Sequence, residues 1–179
     1  AFRMGPAYSF GHIFFEERDH VVALFFVVGY AFCQVAVKRD PLAVTLVMPS
    51  DQIIGDHVEF NRILANAFSY AAGTNALITI GVVPTRPDTN FGYIQMMNAH
   101  AEKDQPIKVK TFTEKPDVDL AKVFIETGEF LWNTGIFIWK SAEIKKELEL
   151  HMPEITRLWT GWQDVLGTDK ERGFLERIY

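Results

Sequence analysis

The chain has 179 residues, 48% of them hydrophobic, 13% aromatic and 23% charged, with a formal net charge of −5. That much apolar surface excludes a disordered or linker-like chain, and the length suits one ordinary core rather than two. The acidic balance excludes a broad electrostatic grip on nucleic acid or anionic lipid, so an anionic ligand would be held by a few placed cations, backbone amides or a metal.

Taken in chain order, the first feature is V-V-A-L-F-F-V-V-G-Y-A-F-C at Val21–Cys33, between Arg18-Asp19-His20 and Lys38-Arg39-Asp40. A spanning helix needs roughly 20 apolar residues, so this run reads as buried core, and no membrane partner is expected. The chain has a single cysteine, Cys33, which cannot form an intrachain disulfide, and no Cys/His cluster has zinc spacing. A reducing, cytoplasmic setting is expected.

Ala43–Met48, ended by Pro49, reads as a strand buried on both faces. Asp56 is placed to cap a helix with Phe60, Ile63, Leu64, Ala67, Phe68 and Ala71 on one stripe and Gly73 just past its end. Ala76–Val83 is a second buried strand, halted by Pro84. Strand, helix and strand in this order favour a right-handed parallel crossover. Lys108–Thr113 alternates like a strand with one wet face. Asp117–Thr127 suits a helix closed by Gly128, with Leu120, Val123 and Phe124 inward. Gly135–Trp139 is another strand. Ser141 can cap a helix that turns Ile144, Leu148 and Met152 inward, and Pro153 can begin one more carrying Ile155, Leu158, Trp159 and Trp162. The alternation predicts an α/β fold with a mixed sheet, helices on both faces, and ligand loops beyond strand ends.

Four segments concentrate polar and glycine residues at those ends. In Pro49-Ser50-Asp51-Gln52 the carboxylate can hold a hard cation over a phosphate, or can simply shape a turn. Thr85–Ile94 carries Arg86, able to meet an anion, and Gly92, where a backbone can approach a ligand; its Pro, Asp and Asn equally suit a long turn. In Thr113-Glu114-Lys115-Pro116, Glu114 can accept from hydroxyls and Lys115 can place a point charge against a phosphate, or the two form a surface ion pair. Trp132-Asn133-Thr134-Gly135, expected just ahead of the last strand, offers an amide and a hydroxyl beside a glycine, which can read sugar hydroxyls or form a turn on a buried Trp.

The wording and order of these segments carry more than any one of them. With V-M-P-S-D at Val47–Asp51, P-T-R-P-D-T-N-F-G-Y-I-Q at Pro84–Gln95, F-T-E-K-P at Phe112–Pro116 and W-N-T-G-I-F at Trp132–Phe137, the chain from Asp40 to about Trp159 resembles bacterial mannose-1-phosphate guanylyltransferases (GDP-mannose pyrophosphorylases). The resemblance implies a Rossmann-like nucleotidyltransferase core and one partial domain over residues 1–179. It implies GTP and mannose 1-phosphate as partners and Mg²⁺ as cofactor. Mannose 1-phosphate would attack the α-phosphate of GTP, giving GDP-mannose and pyrophosphate. Such chemistry asks the protein for alignment and charge neutralisation. By resemblance, Asp51 is catalytic as the metal ligand and Lys115 is catalytic at the sugar phosphate. Gly92 offers backbone to the sugar, Glu114 and Asn133 read its hydroxyls, and Thr134 assists. A homodimer is left open.

The chain also departs from that pattern. No glycine-rich G-G-x-G-x-R string, which in the family cradles nucleotide phosphates, occurs in it. Where an Arg-Asn-Thr-Ala-Pro stretch is usual it reads Arg18-Asp19-His20-Val21-Val22-Ala23, and Gln52 stands where histidine is usual. It stops at Tyr179, about where a Ser-x-Asp-Tyr segment with the second metal ligand would begin. The expected fold is therefore incomplete at its N-terminal side, with the sugar half of a site present and the nucleotide half largely absent. Part of a normal enzyme is the favoured reading. The alternatives are a catalytically inactive sugar-phosphate-binding or scaffold relative, and a nucleotidyltransferase for another hexose 1-phosphate.

Overall fold

The computed structural model describes residues 3–4, 10–15, 33, 35–99 and 105–178. The stretch 18–23 and the apolar run up to residue 32 lie outside the described residues, as does the side chain of Ile155. The elements are β1 (Arg3–Met4), β2 (Phe10–Phe15), α1 (residues 35–39), β3 (Val44–Val47), β4 (Ile53–Ile54), α2 (His57–Gly73), β5 (Leu77–Val82) and β6 (Tyr93–Met96). They continue with β7 (Pro106–Thr113), α3 (Val118–Thr127), β8 (Phe130–Lys140), α4 (Ser141–His151), α5 (Pro153–Leu158), α6 (Trp162–Val165) and α7 (Glu171–Ile178). They form two compact units, one holding Val44–Trp139 with β1 and β2, the other holding α1 and the helices from Lys140 onward.

The first unit is built on a six-stranded sheet in the order β3-β8-β5-β2-β7-β6, with β8 also pairing to β6. Its directions are mixed, as the alternating sequence pattern predicts: β2 runs antiparallel to β5 and parallel to β7, and β8 runs antiparallel to β5 and β6. The strands on either side of α2 are not neighbours, because β8 lies between β3 and β5.

Helix α2 forms where expected. The Asp56 carboxylate accepts from the Glu59 N–H at 2.9 Å, satisfying one of the donors a helix start leaves orphaned. Phe60, Ile63, Ala67 and Ala71 then pack on Ile78, Ile80 and Val82 of β5 and on Ile136 and Ile138 of β8, with Leu64 and Phe68 at the margin. Burying each large aliphatic side chain there is worth about 1.5–3 kcal/mol.

Helix α3 is closed as expected by Gly128, in the left-handed region at φ 68°, and starts one residue later than expected, with Asp117 as its cap, the carboxylate accepting from the Leu120 N–H at 2.8 Å. Its inner face is different. Ala121 and Phe124 are buried, whereas Leu120 and Val123 are 40% and 50% exposed. The small Ala121 lets the helix approach Tyr93 and Trp132 closely, and the Phe124 ring stacks on Phe130 at 3.8 Å. Close approach, not hydrophobicity, chose the face.

Two further expectations are corrected. The last strand spans Phe130–Lys140, so Trp132–Gly135 lie inside it rather than ahead of it. Ser141 is the first residue of α4 and fully buried, and no side chain caps that helix; the Ser141 N–H donates to Ala43 O at 3.0 Å.

In the second unit α4 buries Ile144 and Leu148. Trp159 and Trp162 meet edge to face at 5.2 Å and both pack on Phe174 of α7, while Leu158 is exposed; the helix begun by Pro153 ends at Leu158, so Trp162 lies on α6 rather than on that helix. Cys33 is free and buried, and burial pushes its thiol up to about 11. Among the described residues no helix is long and apolar enough to cross a membrane.

Ile63 is 0% exposed and Val58, five residues earlier on the same helix, is 84% exposed. Ile63→Ala is expected to cost about 2–5 kcal/mol and Val58→Ala less than about 0.5 kcal/mol, read by urea unfolding.

Candidate functional site

The site is organised around an interruption in β8. Gly135 has φ 73°, a conformation that L side chains rarely adopt, and a Cβ built on it would come within 3.2 Å of Pro49 Cγ. The β5–β8 register shifts between Thr79 and Gly81, with Gly81 opposite Asn133 and Thr79 opposite Phe137. Backbone and side chains at the interruption satisfy one another. The Gly135 N–H donates to Asn133 Oδ1 at 3.2 Å, and the Thr79 hydroxyl lies 3.0 Å from the same oxygen and 3.1 Å from Ile136 O. With Oδ1 thus engaged, the Asn133 NH₂ is the amide's uncommitted end. The buried Thr134 hydroxyl donates to Ile80 O at 2.6 Å and accepts from the Ile136 N–H at 3.2 Å, so its bonds go to the backbone.

This stretch of β8 gathers the other motif segments. The Asn133 N–H donates to Gly92 O at 2.8 Å. Above Gly92 a Cβ would fall 2.7 Å from Glu114 Oε2 and 2.7 Å from Phe112 Cζ, so glycine is what lets the end of β7 close over this backbone. Next to Glu114, Lys115 has φ 45° and precedes Pro116. A non-glycine residue pays for that conformation with about 1–2 kcal/mol of strain. The Lys115 ammonium, 64% exposed, stands 3.7 Å from Glu114 Oε1, a loose surface pair that leaves its donors available. Gly92, Glu114, Lys115 and Asn133 are therefore brought together.

Asp51 sits on the exposed turn between β3 and β4, with no hydrogen bond or ion pair among the described residues. It is joined to the same strand through its neighbours: Pro49 packs at Gly135, and the Gln52 side-chain NH₂ donates to Thr134 O at 2.6 Å. Among the described residues no three His, Cys, Asp or Glu side chains gather to hold a metal. One free carboxylate on a turn fits Mg²⁺ nonetheless, because that ion takes one or two protein carboxylates and completes its shell with water and substrate phosphates.

The Thr85–Ile94 segment holds itself. Asp88 Oδ1 accepts from the backbone N–H and side-chain NH₂ of Asn90, both at 3.0 Å, and Oδ2 accepts from Arg86 at 2.5 Å. The Tyr93 hydroxyl accepts from the Asp88 N–H at 3.1 Å and donates to Asp88 O at 3.0 Å. Arg86 also lies over the Trp132 ring at 5.3 Å, so the cation that the sequence offers to an anion is engaged within its own loop. Desolvation pushes the Asp88 carboxyl up, but the Asn90 donors and the Arg86 guanidinium outweigh it and hold Asp88 below the ordinary carboxylate range. Sequence reasoning misses Tyr93 and Gln52 as organisers. Gly92-Tyr93, a glycine leading an aromatic into a strand, is the only signal for the first, and nothing local points to the second.

The sequence profile of the family described as "Nucleotidyl transferase" matches residues 29–164. The chain belongs to this family. It is 36% identical over 127 residues to mannose-1-phosphate guanylyltransferase RfbM of Salmonella typhimurium, an alignment covering 70% of this chain and 26% of that protein. The chain thus spans about a quarter of the length of that relative. Among solved structures it is similar to one described as mannose-6-phosphate isomerase from Helicobacter pylori, at 32% identity and TM-score 0.61 over 72% of this chain and 47% of that one. It is also similar to one described as mannose-1-phosphate geranyltransferase from Thermus thermophilus, at 25% identity and TM-score 0.67 over 84% of this chain and 42% of that one. The mixed α/β sheet is accordingly a nucleotidyl transferase core, and the family match spans every motif residue described above.

Gly92→Ala is expected to destabilise by about 1–3 kcal/mol through overpacking, and adding Glu114→Ala should return part of that loss in a double-mutant cycle read by urea unfolding. Because the folded Asp88 carboxyl is depressed, its contribution is present above the unfolded carboxylate pKa of about 4 and is lost as pH falls through the folded value. Asp88→Asn should therefore lower stability near neutral pH and converge with the wild type in acid, as unfolding curves at the two pH values will report.

Proposed function

We propose that these residues form the sugar-phosphate side of the site of a nucleotidyltransferase that joins GTP and mannose 1-phosphate into GDP-mannose. The observation that carries this reading is the convergence of the Gly92 backbone, the Glu114 carboxylate, the Asn133 amide and the Lys115 ammonium on one interrupted strand. Acceptor, donor and cation together suit a hydroxylated ring bearing a phosphate. The resemblance to mannose-1-phosphate guanylyltransferases supplies the identity of the sugar and the base.

In this reading a phosphate oxygen of mannose 1-phosphate bonds to the α-phosphorus of GTP, the bond from that phosphorus to the bridging oxygen breaks, and pyrophosphate leaves with the electron pair. Lys115 holds the attacking phosphate, Glu114 and Asn133 fix the ring through its hydroxyls, and the closely approached backbone at Gly92 forms the floor. Thr134, whose hydroxyl is committed to the backbone, acts by keeping Asn133 in place. Asp51 would hold Mg²⁺, which neutralises developing charge on the phosphates when bound. The 179 residues are taken as one partial catalytic domain in a cytoplasmic enzyme.

Calorimetric titration of the chain with mannose 1-phosphate tests this. Weak binding is expected, lost in Lys115→Ala and unchanged in Lys140→Ala. With no glycine-rich phosphate loop in the sequence, pyrophosphate release from GTP by these residues alone is expected to be absent. Folded protein that binds no mannose 1-phosphate would sink the reading in favour of a scaffold, and tighter binding of another hexose 1-phosphate would reassign the sugar. Lys115→Gly carries a further expectation: relief of backbone strain should raise stability by about 1 kcal/mol while binding is lost.

A further inference from the structure

We infer that Gln52 is a positioning residue that pins the Asp51 turn to the sugar-reading stretch of β8. The inference rests on the proposed role of Asp51. The Gln52 NH₂ and Thr134 O lie 82 residues apart in the chain and 2.6 Å apart in space. The orientation of the amide is forced, because a carbonyl oxygen can only accept.

The acceptor lies where the ladder to β5 is broken. Thr134 falls within the register shift between β5 and β8 and has no partner in that pairing. Its own hydroxyl is turned to Ile80 O. Gln52 Oε1 is buried and has no hydrogen-bond partner among the described residues. A buried amide with one end unsatisfied is costly, so the pose is held for the Nε2 bond rather than for the comfort of the whole side chain. Pro49 against Gly135 fixes the other side of the turn. Asp51 therefore lies between two attachments to the strand that carries Asn133. A carboxylate on a free turn would sample many positions; one held at both flanks keeps a set distance from the phosphate that Lys115 meets.

Two variants separate positioning from bulk. Gln52→Met keeps similar length without a donor, and Gln52→His keeps an N–H donor. Hydrogen exchange of the peptide covering residues 48–54 should accelerate about threefold to tenfold in Gln52→Met, the range expected for one lost hydrogen bond, with α2 unchanged, and Gln52→His should restore it. In mannose 1-phosphate titrations, Gln52→Met should keep the Mg²⁺-free affinity and lose most of any tightening that Mg²⁺ gives the wild type, as Asp51→Asn should, and Gln52→His should recover it. Equal exchange and equal Mg²⁺ tightening in wild type and Gln52→Met would overturn the pin. If the wild type binds no mannose 1-phosphate, or Mg²⁺ adds nothing, the reading of the site or of Asp51 fails instead, and the exchange data alone decide whether Gln52 pins the turn.

Discussion

One backbone conformation carries the rest of the site: Gly135 in the left-handed region in the middle of an eleven-residue strand. A strand that kept its ladder unbroken would alternate its side chains between two packed faces and commit every amide to its neighbours. The break at Gly135 frees local groups to bond otherwise. Asn133 accepts from the Gly135 N–H, Thr134 turns its hydroxyl to Ile80 O, and Thr134 O turns to Gln52. A larger residue would be strained there, because φ 73° disfavours a side chain and a Cβ would press on Pro49 Cγ at 3.2 Å. The interruption sits beside Ile136 and Ile138, both fully buried on α2. The polar stretch is thus anchored to the buried core on α2.

Charge is used sparingly. Arg86 is tied to Asp88 and laid over Trp132, where it holds the loop that delivers Gly92. Lys115 is instead aimed by its backbone, in a conformation that is unfavourable for lysine and doubly restricted before Pro116. Strain of this kind persists only where the surroundings over-determine it, and here β7 on one side and Pro116 with the Asp117 cap on the other fix both ends of a short turn. The two cations of these loops therefore do different work. One builds the wall, and the other stays exposed in a loose pair with Glu114.

Much of the fold is legible in the sequence. Asp56 reads as a cap because a carboxylate just ahead of an apolar helical periodicity has a defined donor to satisfy, and it does so; Asp117 does the same for α3, one residue inside the span the pattern suggests. The strands at Val44–Val47 and Leu77–Val82 are plain from unbroken apolar runs bounded by proline. The inner face of α3 is not, since Leu120 and Val123 outweigh Ala121 on any hydrophobicity scale, and only the approach distance to Trp132 favours the alanine. Trp132–Gly135 reads locally as a loop because Asn, Thr and Gly punctuate chains, whereas here long-range pairing with β5 and β6 overrides them. Gly92, Glu114, Lys115 and Asn133 are legible as motif residues, but their adjacency is not, because it is made by pairings between segments far apart in sequence. Gln52 and Tyr93 are illegible for the same reason: each acts through a partner that no local pattern announces.

The same pairings explain why four short motifs stay together. Each lies at the end or interruption of a strand, and each is fixed by a contact to β8 or to the loop beside it: Pro49 and Gln52 to Gly135 and Thr134, Gly92 to Asn133, Glu114 over Gly92, Arg86 over Trp132. Glu114 is the least secured of these. It is held by steric fit above a missing Cβ and by a loose pair with Lys115, not by a hydrogen bond to the strand. Asn133, by contrast, has its amide orientation set before any ligand arrives. A ring entering this site would therefore meet one fixed donor and one adjustable acceptor. In the proposed reading, that division would let Asn133 define where the sugar sits while Glu114 and Lys115 settle against its hydroxyls and phosphate.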